Sequence, residues 1–134
     1  MRRSHPTVIA ATALAALALP LRAHHSLEDT YDLGRTVTLT GVVSEVQWAN
    51  PHVRLLVEVK GAAGEVKTWQ VEIKPPSAMA RLGVSQAMLE RAGEISVEVW
   101  LAKDGSPSAA GKTLKTPDGA LYDVASGMNW RPAR

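Results

Sequence analysis

Three histidines are the residues of this chain best suited to chemistry: the adjacent pair His24 and His25, and His52, which follows Asn50-Pro51. The pair comes directly after Leu21-Arg22-Ala23, the end of a segment that reads as an export signal. If the signal is cut after Ala23, the chain begins at His24, and its terminal amine and imidazole together can chelate one metal ion. A second imidazole, from His25 or His52, completes a compact nitrogen set of the kind copper(II) favours, because that ion takes tetragonal nitrogen coordination. A cut before Ala23 makes His25 the third residue, and the amine, two deprotonated amides and its imidazole then form a square-planar set. Either start predicts copper(II) on His24 and His25, with His52 joining if the segment between them folds back. The plainer reading of the pair is a solvated, flexible chain start. For His52 it is turn chemistry, with Asn50 bonding its local backbone, Pro51 fixing the bend and His52 opening the next strand.

The signal has its three parts in order: a basic start (Arg2, Arg3), an apolar stretch over residues 8–19, and the small residue Ala23 at the cut. That stretch is shorter than the roughly 20 residues that span the hydrocarbon core, so no stable membrane span is expected once the signal is removed. His5-Pro6 stands where the twin-arginine route shows a bulky apolar pair, which favours the general secretory route. The mature protein is expected to be periplasmic or secreted. Loss of Arg2, Arg3 and Arg22 turns 15 basic residues into 12, against 13 acidic ones. A nearly neutral chain without a Lys/Arg cluster lacks the electrostatic footprint of nucleic-acid binding. The absence of cysteine excludes disulfides, thiolate metal sites and a cysteine nucleophile.

The elements that must position these residues are mostly strands. Residues 24–36 are polar and mixed and read as an extended lead-in. Val37 and Leu39 then alternate with threonines until Gly41, where the apolar set changes phase to Val42, Val46 and Trp48, as in a bulged or coiled strand. Asn50-Pro51 breaks it. Val53, Leu55, Val57 and Val59 line one face of a second strand, and Trp69, Val71 and Ile73 one face of a third, around Gly61-Ala62-Ala63-Gly64. After Pro75-Pro76, Ser77 and Ser85 are candidate helix N-caps, Gly83 and Gly93 candidate stops, and Met79, Leu82, Met88 and Leu89 the covered side of two short helical turns. Ile95, Val97, Val99 and Leu101 restore the strand period. A final hairpin is expected over residues 109–115 and 120–124.

Three strands, a helical connection and two or three further strands predict a mainly β fold: a five-to-six-stranded OB-like antiparallel barrel with a short helical connection between strands 3 and 4. An open antiparallel sandwich is the competing architecture. The expected organisation is a signal over residues 1–23, a lead-in over 24–36, one barrel domain over 37–125 and a tail over 126–134. Ala23-His24-His25-Ser26, Thr40-Gly41-Val42-Val43, Trp48-Ala49-Asn50-Pro51-His52 and Ala102-Lys103-Asp104-Gly105-Ser106-Pro107 follow one another at spacings over which the chain resembles a group of small exported bacterial proteins, the domain of unknown function 6152. That resemblance implies an exported, OB-like domain and no particular activity. Members tend to carry aromatics where Leu27 and Arg54 stand here, so any aromatic surface the family shares is thinner in this chain.

Four tryptophans and no phenylalanine make up most of the aromatic content. Trp48 and Trp69 are in phase with buried faces and are expected in the core. Trp100 is out of phase with Val97 and Val99, beside Glu98, where an indole either covers a helix or stacks on a ligand. Trp130 lies in a polar tail. Glycine-flanked serine elbows are absent, and acid pairs such as Glu28-Asp29, or Glu58 with Glu72 on neighbouring strands, read as solvated charge. The expectation is therefore a binding protein rather than an enzyme. It holds either copper(II) at its histidines or an envelope protein, peptide or glycan through Trp100 and the loops at Asn50, Pro51 and Asp104.

Overall fold

The computed structural model describes residues 26–126 of the chain. A single helical turn, α1 (Leu27–Thr30), precedes β1 (Tyr31–Gln47), β2 (Arg54–Lys60) and β3 (Val66–Glu72). Two short helices, α2 (Pro76–Arg81) and α3 (Gln86–Arg91), lead to β4 (Glu94–Ala102), β5 (Ser108–Lys115) and β6 (Leu121–Asp123). The strands form one sheet in the order β3-β2-β1-β4-β5-β6, and a β3–β5 pairing turns it back on itself. This ring makes the fold an OB-like barrel and excludes the open sandwich. The closing pair is parallel, Gln70 to Ser108 through Glu72 to Ala110, where an antiparallel barrel was expected. Strand direction requires it. β1 and β3 both oppose β2, β4 opposes β1 and β5 opposes β4, so β5 returns to β3 running the same way.

β1 serves two partners, pairing with β4 from Thr36 to Val42 and with β2 from Val42 to Gln47. Gly41 permits the tight coil where it changes partner: a Cβ there would collide with the backbone carbonyl of Glu58 and stand 3.0 Å from Val57 Cγ1. The phase shift, however, does not fall at Gly41. Leu39, Gly41 and Val43 all face inward, the register breaks between Val43 and Glu45, and Val46 resumes the inner face. Val42, expected inside, is therefore 48% exposed.

The barrel interior holds Leu55, Val57, Val71, Ile73, Val97, Val99 and Leu114, all fully buried. Each such side chain contributes about 1.5–3 kcal/mol relative to an exposed one. The helical connection adds Met79, Val84 and Leu89. Ser85 caps α3 by accepting from the Met88 N–H at 3.2 Å, as its position predicts. Ser77 is not a cap. α2 begins two residues earlier, with Pro75 at the N-cap and Pro76 in the first turn, where the missing N–H costs nothing. Leu82 falls at the C-cap of α2, beside Gly83 at φ 80°, and is 38% exposed instead of covered.

The lead-in also differs from its expected extended form. Ser26 N–H donates to Asp29 Oδ2 at 3.1 Å while the Ser26 carbonyl accepts from Asp29 N–H at 3.0 Å, closing the turn of α1. β1 then starts at Tyr31, six residues before Val37. Among the described residues no helix is long and apolar enough to cross a membrane.

Candidate functional site

His52 lies just beyond the Asn50-Pro51 bend, on the approach to β2, and its backbone neighbourhood is fixed. Val53 N–H donates to the Lys74 carbonyl at 3.2 Å and Ile73 N–H returns to the Val53 carbonyl at 2.9 Å, extending the β2–β3 ladder past its last regular pair. This sets the His52 imidazole beside Glu72, with Nδ1 2.8 Å from Glu72 Oε1. The other carboxylate oxygen, Oε2, stands 3.9 Å from Arg54 Nε, on the residue directly opposite Glu72 in the ladder. The imidazole is 29% exposed and the carboxylate 18%, so the pair is half-sheltered and open to a ligand from one side.

The register carries this pair into a continuous row on the outer surface. Arg54 opposes Glu72, Glu72 opposes Ala110, Ala110 opposes Trp100 and Trp100 opposes Thr36, crossing β2, β3, β5, β4 and β1 in turn. The neighbouring row contains Leu56, Gln70 and Ser108. Tyr31, buried, reaches this region: burial raises its phenol pKa, the Ser108 side chain opposes that rise, and the negative charge of Glu72 adds to it. Asp104, in the loop between β4 and β5, accepts from Ser106 N–H at 2.9 Å, and hydrogen bonds from Ser106 hold its carboxyl below the ordinary range. His52, Glu72, Arg54, Tyr31, Ser108 and Asp104 thus belong to one polar quarter of the barrel wall, between the two loops that flank the usual OB binding face.

Trp100 is placed differently from the expectation that it could stack on a partner. It is 3% exposed, packed with Tyr31, Ala102, Ala110 and Ala125 and covered by Leu27 and Leu33. The out-of-phase indole does face outward from the barrel, but the chain's own α1 segment seals it, so no partner reaches its ring. Trp48 and Trp69 pack against the main core as expected. Asn50 and Pro51 are exposed, as is Asp104, and the Asn50–Pro51 peptide is cis. Glu58 does not pair with Glu72: it opposes Thr68, while Glu72 is engaged by His52.

His24 and His25 lie outside the described residues, as does Trp130. Among the described residues no three histidine, aspartate or glutamate side chains form a ready metal cage. A shallow groove opens between the start of β1 and the end of β4, lined by Asp32, Arg35, Val37, Leu101, Ala102 and Lys103. Neither His52 nor Glu72 lines it.

The family model for a family of unknown function, DUF6152, matches residues 11–112. The chain belongs to this family. The DUF6152 match takes in His24, His25, His52, Glu72 and Trp100 and leaves β6 outside. No curated protein and no solved structure matches the chain. Glu72, Tyr31 and Ser108 are the residues of this site that the sequence reading passed over. For Glu72 the signal was one residue short: a hairpin on the four residues 61–64 sets residue 54 opposite residue 71, and the five-residue turn 61–65 shifts that register to bring Glu72 opposite Arg54 and beside His52. Tyr31 and Ser108 meet only through the closure of the barrel, which no local pattern encodes.

Proposed function

We propose that the chain is an exported, single-domain OB-like binding protein of the cell envelope that holds copper(II) through His24 and His25, with His52 as a further nitrogen ligand. The observation that carries this reading is the docking of α1. Leu27 packs on the Trp100 cluster, Lys103 Nζ donates to the Glu28 carbonyl at 2.6 Å, and Lys103 N–H donates to the Thr30 carbonyl at 2.9 Å. The chain that follows His25 is thereby fastened to the same outer surface that carries His52. From Trp100 to Glu72 is two strand spacings, about 10 Å. Two residues of extended chain reach about 7 Å, so the reading requires the chain before α1 to run toward β3, with the imidazoles spanning the remainder. Three nitrogen donors brought together in this way suit copper(II) over harder, oxygen-seeking cations.

The test is a native mass spectrum of untagged protein exported with its own signal and exposed to one equivalent of copper(II), repeated under denaturing conditions. The expected result is a mature mass starting at Ala23 or His24 with one retained copper, lost in His25→Ala and in protein carrying an added N-terminal tag. A tagged protein that holds copper equally tightly refutes the terminal site.

A second reading uses the same quarter of the barrel without metal. The loops at Asn50-Pro51 and Asp104 are exposed on either side of it, an arrangement by which OB folds grip extended ligands, here an envelope protein, peptide or glycan. Trp100 has no part in it. Alanine at Asn50 and Asp104 should then weaken binding of that partner while copper retention is unaffected.

A further inference from the structure

The copper reading leaves open how a single histidine on a barrel wall is made into a directed ligand, and the geometry around His52 answers it. A neutral imidazole carries its proton on one ring nitrogen and offers the other, and the partner of the first decides which is offered. Here Nδ1 faces Glu72 Oε1 at 2.8 Å. A carboxylate accepts and does not donate, so the proton of a neutral His52 belongs on Nδ1. Nε2 is left bare. The imidazole is 29% exposed and the carboxylate 18%, so the protonated nitrogen faces the more sheltered partner.

We infer that Glu72 is the positioning residue of His52, fixing its neutral tautomer and ring orientation so that Nε2 is the atom presented to a metal ion. Both ends of the pair are held by backbone. Ile73 N–H donates to the Val53 carbonyl at 2.9 Å and Val53 N–H donates to the Lys74 carbonyl at 3.2 Å, and Arg54 stands 3.9 Å from the second carboxylate oxygen, restraining the carboxylate from turning away. A carboxylate behind a ligating histidine raises the basicity of the ring and is worth about 10–100-fold in metal affinity. The metal part of the inference rests on the copper reading above. The tautomer part rests on the barrel alone.

The experiment separates the two. In metal-free, untagged, 15N-labelled mature protein at pH 8, a long-range 1H–15N correlation spectrum should show His52 protonated at Nδ1 and bare at Nε2. Glu72→Gln, which keeps an acceptor oxygen, should preserve that tautomer, whereas Glu72→Ala should move it toward the Nε2–H form that free imidazole side chains favour. In chelator competition with copper(II), Glu72→Ala should then weaken binding about 10–100-fold and His52→Ala at least as much. A wild-type His52 protonated at Nε2 overturns the positioning role whatever the metal does. An unchanged copper affinity in His52→Ala overturns its ligand role and leaves the terminal site standing. Loss of copper in His25→Ala together with the expected tautomer supports both readings, and wild-type protein that binds no copper overturns the copper reading and with it the ligand role.

Discussion

Replacing Trp100 with alanine tests whether the outer face of β4 and β5 is sealed by the chain itself. The indole is 3% exposed and touches a cluster drawn from α1, β1, β4, β5 and the segment after β6: Leu27, Tyr31, Leu33, Ala102, Ala110 and Ala125. A buried tryptophan truncated to alanine costs about 3–5 kcal/mol. The lower end applies here, because the lid over the cavity is one helical turn that can settle into the space. About 3 kcal/mol is a large part of the roughly 5–15 kcal/mol that stabilises a domain. With a urea m-value of about 1–3 kcal/mol/M, the unfolding midpoint should fall by about 1–3 M at unchanged m. Leu27→Ala, half-buried on the same cluster, should cost about 1 kcal/mol, in proportion to the smaller apolar area it hides. Val42→Ala, at a position 48% exposed, should lie within about 0.5 kcal/mol of wild type. The reasoning is refuted if Trp100→Ala unfolds within about 1 kcal/mol of wild type and Leu27→Ala changes nothing. In that event α1 is not docked, the indole is available to partners, and the support that α1 lends to the histidine pair is gone.

Gly41→Ala should destabilise by about 1–3 kcal/mol or more, read as a lowered Tm, because the added Cβ meets the Glu58 backbone carbonyl, which has no rotamer by which to withdraw; a wild-type Tm would mean that β1 and β2 do not approach so closely there. Glu98 should make stability fall in acid: a hydrogen bond from Lys112 and another from Thr36 hold its pKa below the ordinary value. A depressed carboxylate contributes stability above its unfolded pKa of about 4.3, and that contribution is lost as pH falls through the folded value. Because a third of the Glu98 side chain is exposed, the contribution is at most about 1 kcal/mol. It is read as the difference between wild type and Glu98→Gln below pH 4.3, since Asp104 and Asp118 are depressed as well; identical acid limbs would discount the Lys112 bond. Ser85→Ala should cost about 1 kcal/mol through loss of the α3 cap, seen by urea unfolding, and no change would place the N-terminus of α3 elsewhere.

Strands whose inner positions all carry branched apolar side chains were legible in full. Val53 to Val59, Val71 to Ile73 and Ile95 to Leu101 alternate without interruption, and the structure keeps each phase. β1 was read with its shift displaced by three residues, because the inward position 41 is glycine and cannot vote for a face, while Val42 and Val43 offer the same side chain to both. α1 was missed for a different reason: four residues hold no period, and its stability comes from the Ser26–Asp29 turn and from Leu27 lying on an indole 73 residues away. The outward direction of Trp100 was legible from its phase, but its burial depends on α1, Ala110 and Ala125, which converge only after the ring closes. His52 was legible as the residue that follows the Asn50-Pro51 bend, yet its partner required the hairpin register and not the strand pattern alone.

The division of the outer face bears directly on which function is the stronger candidate. α1 and Trp100 occupy the outer face of β4 and β5, while His52, Glu72 and Arg54 stand on that of β2 and β3. An interaction module would gain from the Trp100 indole being free, and here that indole anchors a four-residue turn. The anchoring buries the indole whatever the function, and under the copper reading it also gives a fixed place to the residues just before the turn. Those residues are His24 and His25. The participation of His52 in the copper reading therefore requires α1 to be docked, whereas the partner reading is indifferent to it. Leu27→Asp, which should release α1 while leaving the barrel core untouched, separates them: copper affinity falls under the first reading and partner binding persists under the second.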